Sequence, residues 1–309
     1  RAIQVAVAGG HNLIMVGPPG GGKTLLASCV PSILPAVDDS EALEVTCIQS
    51  ITGTVSPAGL ARKRPFRRPH HTVSPAGMLG GGNPPMPGEV TLAHRGVLYL
   101  DEFCEFRPQV IESLRGPMED GFIIVSRSSG RVSFPSRFML IASANPCPCG
   151  YLGDPERACV CQGASLMRYR RRLAGPVIDR IDIQIEVPRV RRIDLERPVA
   201  FLTSDSVRHE IEHARERQSE RFCRNGFTNS AMGPRHIESI ARLAPAARRL
   251  LLDAVDQMAL SARAYHKLIR VSRTIADLDG ADSVEEGHVL EALQYRTLDS
   301  EPQAVLSYG

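Results

Sequence analysis

Eight consecutive residues, Gly17-Pro18-Pro19-Gly20-Gly21-Gly22-Lys23-Thr24, read G-x-x-x-x-G-K-T, the spacing of a loop that cradles the phosphates of a nucleotide. Glycines here let backbone N–H groups turn inward on a polyphosphate, and a helix opening at the end of the loop adds the positive end of its dipole. Lys23 would reach the outer phosphates, and Thr24 would give a hydroxyl ligand to Mg²⁺. Further on, the apolar run Gly96-Val97-Leu98-Tyr99-Leu100 ends in Asp101-Glu102. Asp101 is suited to hold Mg²⁺, commonly through water, and Glu102 to polarise an attacking water. A third apolar run, Phe138 to Ala144, ends in Asn145, whose amide could orient that water against the terminal phosphate. An apolar strand ending in Asp-Glu is common by itself; behind a phosphate loop the combination is specific.

These groups need a scaffold that brings them to one edge. His11 to Val16 reads as a buried strand leading into the loop, and Leu25 to Val30 as the helix leaving it. Short apolar runs then alternate with helical stretches, including Ser40–Ile48 and Pro108–Met118, up to a final alternating strand over Ile181–Val187. That order predicts an α/β fold with a parallel sheet, whose ligands bind at the carboxyl ends of the strands. Thr52 to His94 is rich in Gly and Pro and reads as one long irregular segment, with Gly80-Gly81-Gly82 as a hinge; such loops are usually functional or mobile. Phe122–Arg127 and Arg131–Phe134 flank Ser128-Ser129-Gly130, a hairpin signature.

Several charged and thiol groups allow two readings each. The stretch 62–71 packs five fixed cations (Arg62, Lys63, Arg64, Arg67, Arg68) into seven positions ahead of Pro69-His70-His71. It is either a solvated loop or a phosphate-binding patch, and the paired histidines are weak evidence for a metal. Arg127 and Arg131, beside the hairpin turn, either solubilise it or present cations to a polyanion. Cys147-Pro148-Cys149 and Cys159-Val160-Cys161 are two close pairs separated by nine residues. Four such thiols suit tetrahedral Zn²⁺, although C-x-C is less specific than C-x-x-C and buried free thiols are the alternative. Arg180 stands where a helix meets a strand. It could reach across an interface, or pair structurally with Asp179 or Asp182.

After Pro188 the pattern becomes helical. Residues 1–188 form the expected α/β core, with the basic loop 62–71, hairpin 122–134 and cysteine cluster 147–161; 189–205 is a linker, 206–297 a helical lid and 298–309 a loosely ordered tail. In the helix over 261–278, Tyr265, Leu268, Ile269, Ser272, Ile275 and Ala276 make the inward stripe, while Arg263, Lys267 and Arg270 share another face. Such a face is usually solvated; in a lid over a triphosphate, Arg263 is placed for a phosphate contact.

With 43% apolar and 23% charged residues in 309, the chain can bury a sizeable core. A net charge of +3 leaves nucleic-acid affinity to local patches. No apolar run approaches a membrane span, and no signal peptide is evident at the start, which points to the cytoplasm. The first residue is Arg1 rather than Met, as in a fragment or trimmed chain.

Together, the loop, Asp101-Glu102, Asn145, Arg180 and Arg263 resemble an AAA+ ATPase. Arg67-Arg68-Pro69-His70-His71-Thr72, Pro87-Gly88-Glu89, Ala144-Asn145-Pro146-Cys147-Pro148-Cys149-Gly150 and Ser261-Ala262-Arg263-Ala264-Tyr265-His266 narrow the resemblance to the magnesium-chelatase-like competence proteins, the ComM/YifB family. The resemblance implies that Asn145 is a first sensor of the terminal phosphate, Arg180 an arginine finger on a neighbour's ATP and Arg263 a second sensor. It places Arg127 and Arg131 on a hairpin directed to a central pore. It also implies ATP and Mg²⁺ as ligands, and a hexameric motor that drives branch migration of DNA. The alternative is an ATPase that remodels a protein partner. The family normally carries a domain resembling the Lon/S5 fold ahead of the phosphate loop; the sequence given starts after it.

Overall fold

The computed structural model describes residues 1–55, 57, 59–127, 130–190, 203–224 and 226–296. Strand β1 (Leu13–Val16) follows helix α1 (Ala2–Gly9). β2 (Phe66–Arg67) and the short ribbon of β3 (Gly80–Gly81) and β4 (Met86–Pro87) come next, then β5 (Val97–Leu100). The hairpin β6 (Phe122–Arg127) and β7 (Gly130–Pro135) precedes β8 (Met139–Ala144) and β9 (Ile183–Glu186). Five of these make one parallel sheet in the order β2-β5-β8-β1-β9. β1 sits between β8 and β9, with Leu13 level with Ile141 on one side and Ile183 on the other.

The sheet is covered on both faces, as its parallel strands require. Leu13, Met15, Tyr99 and Ile141 point into one core, and Ile14, Val16, Leu98 and Leu140 into the other. Alternate residues of a strand face opposite ways, so these apolar runs feed both cores at once. Helix α2 (Lys23–Ile33) packs with α1 on the first face, whereas α6 (Pro108–Ser113) and α8 (Gly163–Leu173) contribute Val110, Tyr169 and Leu173 to the second. Helix α3 (Asp39–Ile51) starts at a capping box: Asp38 Oδ1 accepts from the Glu41 N–H at 2.8 Å, and Glu41 reaches back to the Asp38 N–H.

The fold departs from the sequence expectations in three places. The stretch 52–94 is not one irregular loop: it supplies the edge strand β2 and the short helices α4 (Pro75–Leu79) and α5 (Glu89–Leu92). A two-residue strand is too short to show any period. The single helix expected over 108–118 is two, α6 and α7 (Arg115–Asp120), meeting at Leu114. Pro117 lacks the N–H that a continuous helix would donate to Ser113. Third, the cationic face of the helix over 261–278 is only partly solvated: Arg263 is exposed but Lys267 is buried, as described below.

The C-terminal part is helical: α9 (Ser204–Phe222), α10 (Pro234–Ile240), α11 (Pro245–Gln257), α12 (Ala262–Leu278) and α13 (Glu286–Gln294). The expected linker over 189–205 lies mostly outside the described residues, though Ser204 and Asp205 already belong to α9; the expected tail, 298–309, lies wholly outside them. These helices share the first core with α1 and α2 through Ile211, Ala214, Leu251, Leu268, Ile275 and Val289. Their anchor is a buried ion network. Arg273 is fully buried and donates to Asp277 Oδ1 from Nε (3.2 Å) and Nη2 (2.9 Å), and to the carbonyls of Ala281 and Asp282. Arg221 and Asn229 complete the shell of Asp277. A buried charge is tolerated only when paired and hydrogen-bonded in this way. No helix of the described residues is long and apolar enough to cross a membrane.

Candidate active site

The turn after β1 has the backbone that its glycines predict. Gly20 and Gly22 adopt φ of 79° and 84°, a left-handed conformation that costs side-chain-bearing residues about 1–2 kcal/mol. Gly17 is constrained differently: a Cβ there would lie 2.0 Å from the Val187 carbonyl oxygen. The loop therefore passes directly under the end of β9 and delivers Lys23 and Thr24 as the first residues of α2. Lys23 is buried, and its Nζ donates to the carbonyls of Gly17 (2.6 Å) and Pro18 (2.8 Å) and to Asn145 Oδ1 (3.2 Å). Burial lowers its pKa, opposed by the fields of Asp101 and Glu102. Asn145, at the end of β8, is thus brought against the loop.

Asp101 ends β5 and lies beside Thr24, whose hydroxyl donates to its two oxygens at 3.2 and 3.4 Å. Tyr99 Oη (2.8 Å) and Ser143 Oγ (2.6 Å) both donate to Oδ1. Burial works to raise the Asp101 pKa, but the Ser143 and Tyr99 hydrogen bonds and the Arg68 charge outweigh it and hold the group below the usual carboxylate range. A carboxylate beside a hydroxyl is the donor set of a hard divalent cation, so Asp101 and Thr24 fit Mg²⁺. Glu102 follows with φ 54° and ψ 50°, a left-handed conformation rare outside glycine. Its N–H donates to Ser143 Oγ at 3.3 Å, and its side chain is 61% exposed. That backbone turns Glu102 away from the strand line and outward.

Arg180 and Arg263 are elsewhere. Both line a cavity with Asn12, Gly96, Met139 and Asp182, which are residues at the start of the strands. This is the amino edge of the sheet, across the strand length of about 13–20 Å for four to six residues from the phosphate loop. Arg180 donates to the Pro176 carbonyl (2.6 Å) and to Glu119 Oε1 (2.5 Å), so its partner is neither Asp179 nor Asp182. Lys267 is buried and donates to the carbonyls of Asp179 and Ile181. Arg270 is largely buried, which lowers its pKa. Arg263 is exposed. Arg263 is therefore not brought to the chain's own phosphate loop. The C-terminal helices pack on the amino-edge ends of the strands, where His11 meets Thr274 at 2.8 Å and the Gln184 N–H donates to the Tyr295 carbonyl.

The glycine loop, Asp101 and Asn145 thus meet at one sheet edge, with Arg180 and Arg263 at the other. The family described as magnesium chelatase, subunit ChlI, matches residues 1–195, and its C-terminal part matches residues 202–296. The chain belongs to this family of AAA+ ATPases. It is 42% identical over 300 residues to competence protein ComM of Haemophilus influenzae, covering 96% of this chain and 58% of ComM. It is 40% identical over 301 residues to YifB of Escherichia coli, covering 97% and 58%, and 40% identical over 298 to Rv2897c of Mycobacterium tuberculosis, covering 96% and 59%. The chain thus spans under two thirds of the length of these relatives.

Within this member of the family the four paired cysteines come together. Cys147 and Cys149 Sγ are 3.4 Å apart, each lies 3.6 Å from Cys159 Sγ, and all four sulfurs fall within 4.8 Å of one another. These spacings are too long for disulfides and close to the roughly 3.8 Å between sulfurs that each bond a tetrahedral Zn²⁺ at about 2.3 Å. Backbone N–H groups of Tyr151 and Val160 bring the Cys149 pKa down to about 6. All four thiols are free, and Cys147 alone among them is buried. Gly150 packs on the Pro19 ring of the phosphate loop, where a Cβ would lie 2.6 Å from Pro19 Cδ. Beside it a cavity of about 510 Å³ is lined by Gly17, Pro18, Leu152, Met167 and Val187.

In the basic stretch 62–71 four of the five cations stand beside carboxylates, while Arg62, Lys63 and Arg68 remain exposed. Arg62 pairs with Asp39, Arg64 with Glu41, Arg67 with Glu89 and Arg68 with Asp101. Arg68 and His71, the latter 3.9 Å from Glu102 Oε2, were not among the expected site residues. Only their adjacency to β2 could have signalled them, since β2 lies beside β5. At the hairpin, Arg131 is exposed, while the Arg127 side chain and residues 128–129 lie outside the described residues.

Proposed function

We propose that this chain hydrolyses ATP with Mg²⁺ in a ring of like subunits, each active site being assembled from two neighbours. The observation that carries this reading is the division of charge between the sheet edges. Lys23, Thr24, Asp101, Glu102 and Asn145 stand at the carboxyl edge, and Arg180 and Arg263 at the amino edge. Two such half-sites meet only when the amino edge of one copy faces the carboxyl edge of the next, a head-to-tail contact that closes into a ring.

In that arrangement the loop N–H groups and Lys23 bind the phosphates, and the 510 Å³ cavity beside the loop accommodates the nucleoside. Mg²⁺ held by Thr24 and Asp101 would neutralise developing phosphate charge. Glu102 accepts a proton from the attacking water, and Asn145 fixes that water's line of approach. The neighbour's Arg180 and Arg263 stabilise the transferred phosphoryl. Cys147, Cys149, Cys159 and Cys161 would hold a structural Zn²⁺, which would stiffen the turn after Asn145. The experiment that tests the core of this reading is ATP binding and turnover in two variants. Lys23→Ala should lose nucleotide binding; Glu102→Gln should bind ATP and retain it unhydrolysed. Tight ATP binding by Lys23→Ala would overturn it.

We infer DNA as the substrate of the motor, with branch migration as its work and a hexamer as its form. The similarity to a protein named for competence and the exposed Arg131 on the β6–β7 hairpin support this. Binding to branched DNA that weakens steeply with salt, less steeply in Arg131→Ala, is the expected result. One observation favours a second reading, remodelling of a protein partner. Phe122, Ile124 and Val132 of the same hairpin are exposed, giving it an apolar outer face. An assembled ring that ignores DNA at low salt would move the assignment to that reading.

A further inference from the structure

The segment after β2 reaches both carboxylates of the hydrolytic site. Its root is fixed: Arg64 Nη2 donates to Glu41 at 2.6 Å, and the Arg67 guanidinium forks onto Glu89 at 2.7 and 2.8 Å. Immediately beyond, Arg68 Nη2 lies 2.5 Å from Asp101 Oδ2, with its guanidinium 5.5 Å above the Tyr99 ring. Three residues later, His71 Nδ1 lies 3.9 Å from Glu102 Oε2. The His70 and His71 rings are 4.1 Å apart, His70 Nδ1 meets Thr72 Oγ1 at 2.9 Å, and the Val73 N–H closes the turn on the His70 carbonyl. One compact turn therefore carries a guanidinium to the metal carboxylate and an imidazole to the water-activating carboxylate.

The chemistry at Asp101 makes this arrangement exclusive. Oδ1 already accepts from Tyr99 and Ser143 and lies 3.4 Å from the Thr24 hydroxyl, so Oδ2, which Thr24 also reaches and Arg68 pairs with, is the oxygen more open to a cation. A carboxylate oxygen that accepts a charge-assisted hydrogen bond from Arg68 faces repulsion if it must also hold a dication. Mg²⁺ also demands near-octahedral oxygen geometry, which leaves little room for a guanidinium in its inner shell.

We propose that Arg68 is the competitor of Mg²⁺ for Asp101, and that its release when metal enters moves the 68–72 turn and resets His71 against Glu102. Metal loading and the setting of the water-activating group are then one event within a single subunit. Arg68 and His71 are positioning residues in this scheme. The proposal rests on reading this edge as the Mg²⁺–nucleotide site.

The test uses ATPγS binding to the 309-residue chain during a Mg²⁺ titration. Arg68→Ala should reach half-saturation at lower Mg²⁺, by about tenfold for removal of a close like charge, and Arg68→Lys should stay nearer to the unaltered chain. Hydrogen–deuterium exchange over residues 66–73 of the unaltered chain should rise with Mg²⁺ and ATPγS but not with ATPγS in EDTA, a readout that needs no variant. His71→Ala should lower kcat by roughly tenfold, as for a lost orienting contact, with KM for ATP little changed and partial recovery in His71→Asn. An unchanged or higher Mg²⁺ requirement in Arg68→Ala, or exchange over 66–73 that ignores Mg²⁺, overturns the competition. Equal falls in binding and turnover in His71→Ala, without recovery in His71→Asn, overturn the role of His71. Undiminished ATPγS binding by Lys23→Ala would instead overturn the nucleotide-site reading itself.

Discussion

Arg180 and Glu119 form an ion pair at 2.5 Å on the edge of the sheet that faces away from Lys23. With the Arg180 Nη1 bond to the Pro176 carbonyl, this pair holds a side chain only 10% exposed at the amino edge, and the guanidinium must leave Glu119 to reach a phosphate, which at that edge only another molecule can supply. Arg180→Ala should therefore keep ATP affinity and lose turnover by about 10³-fold or more, the usual worth of an arginine finger. Mixing decides whether the finger acts between subunits. Rings doped with Arg180→Ala together with Lys23→Ala should recover some hydrolysis, because an intact loop can then face an intact Arg180. Steady-state rates against mixing ratio are the measurement, and no recovery at any ratio would mean that each chain works alone.

Acid stability should depend on Glu44. Hydrogen bonds from Arg95, at 2.6 and 3.1 Å, and from His94 pull its pKa from 4.5 to about 2, against a smaller opposing effect of burial. The folded state binds fewer protons than the unfolded state between those values. The contribution to stability is therefore complete above pH 4.5 and is lost as pH falls through about 2. Glu44→Gln should flatten the fall of the urea midpoint between pH 5 and pH 3, a comparison best made by circular dichroism. Parallel curves for the two proteins would show that other carboxylates carry the acid sensitivity.

What could be read from the chain beforehand follows from how local each signal is. The loop from Gly17 to Thr24, the Asp101-Glu102 pair and Asn145 are contiguous motifs, and the structure places them together as the spacing implied. Helix α1 escaped notice because Val5 to Ala8 are all buried, so no polar face marked a helical period. Strand β2 has only two residues. The position of Arg263 depended on which sheet edge the C-terminal helices pack against, a choice made by contacts such as Lys267 to Ile181 that no local pattern announces. The pairings of Arg68 and His71 arise in the same way, from β2 lying beside β5.

The C-terminal helices should be most sensitive at Asp277. Its carboxylate is the counter-ion of the fully buried Arg273 and also receives Arg221 and the Asn229 amide, at 2.9 and 2.8 Å. Asp277→Ala leaves a guanidinium buried without its partner, which costs about 3–5 kcal/mol. Replacing both partners in Asp277→Leu with Arg273→Met removes the stranded charge and should recover part of the loss. Chemical denaturation of the single and double variants checks this. A single variant within about 1 kcal/mol of the parent, as for an ordinary exposed pair, would mean that the network contributes little.

Metal content should be coupled to nucleotide affinity through Gly150 and Pro19. The four sulfurs stand at thiolate–metal spacings, and the turn they would close leans on the phosphate loop at Pro19 and leads out of Asn145. Purified protein should carry about one zinc per chain, the stoichiometry of a four-thiolate site. Cys149→Ser should lose most of it, since Cys149 Sγ is one of the four sulfurs that lie within 4.8 Å of one another. Because the turn braces the loop rather than touching phosphate, ATP affinity should fall by about tenfold on metal loss, the effect typical of a supporting group. Restoring zinc to chelator-treated protein should return it. Zinc below about a tenth of an equivalent in protein prepared without chelator would contradict a dedicated site, and full zinc loss with unchanged ATP affinity would break the link between the cysteine turn and the phosphate loop.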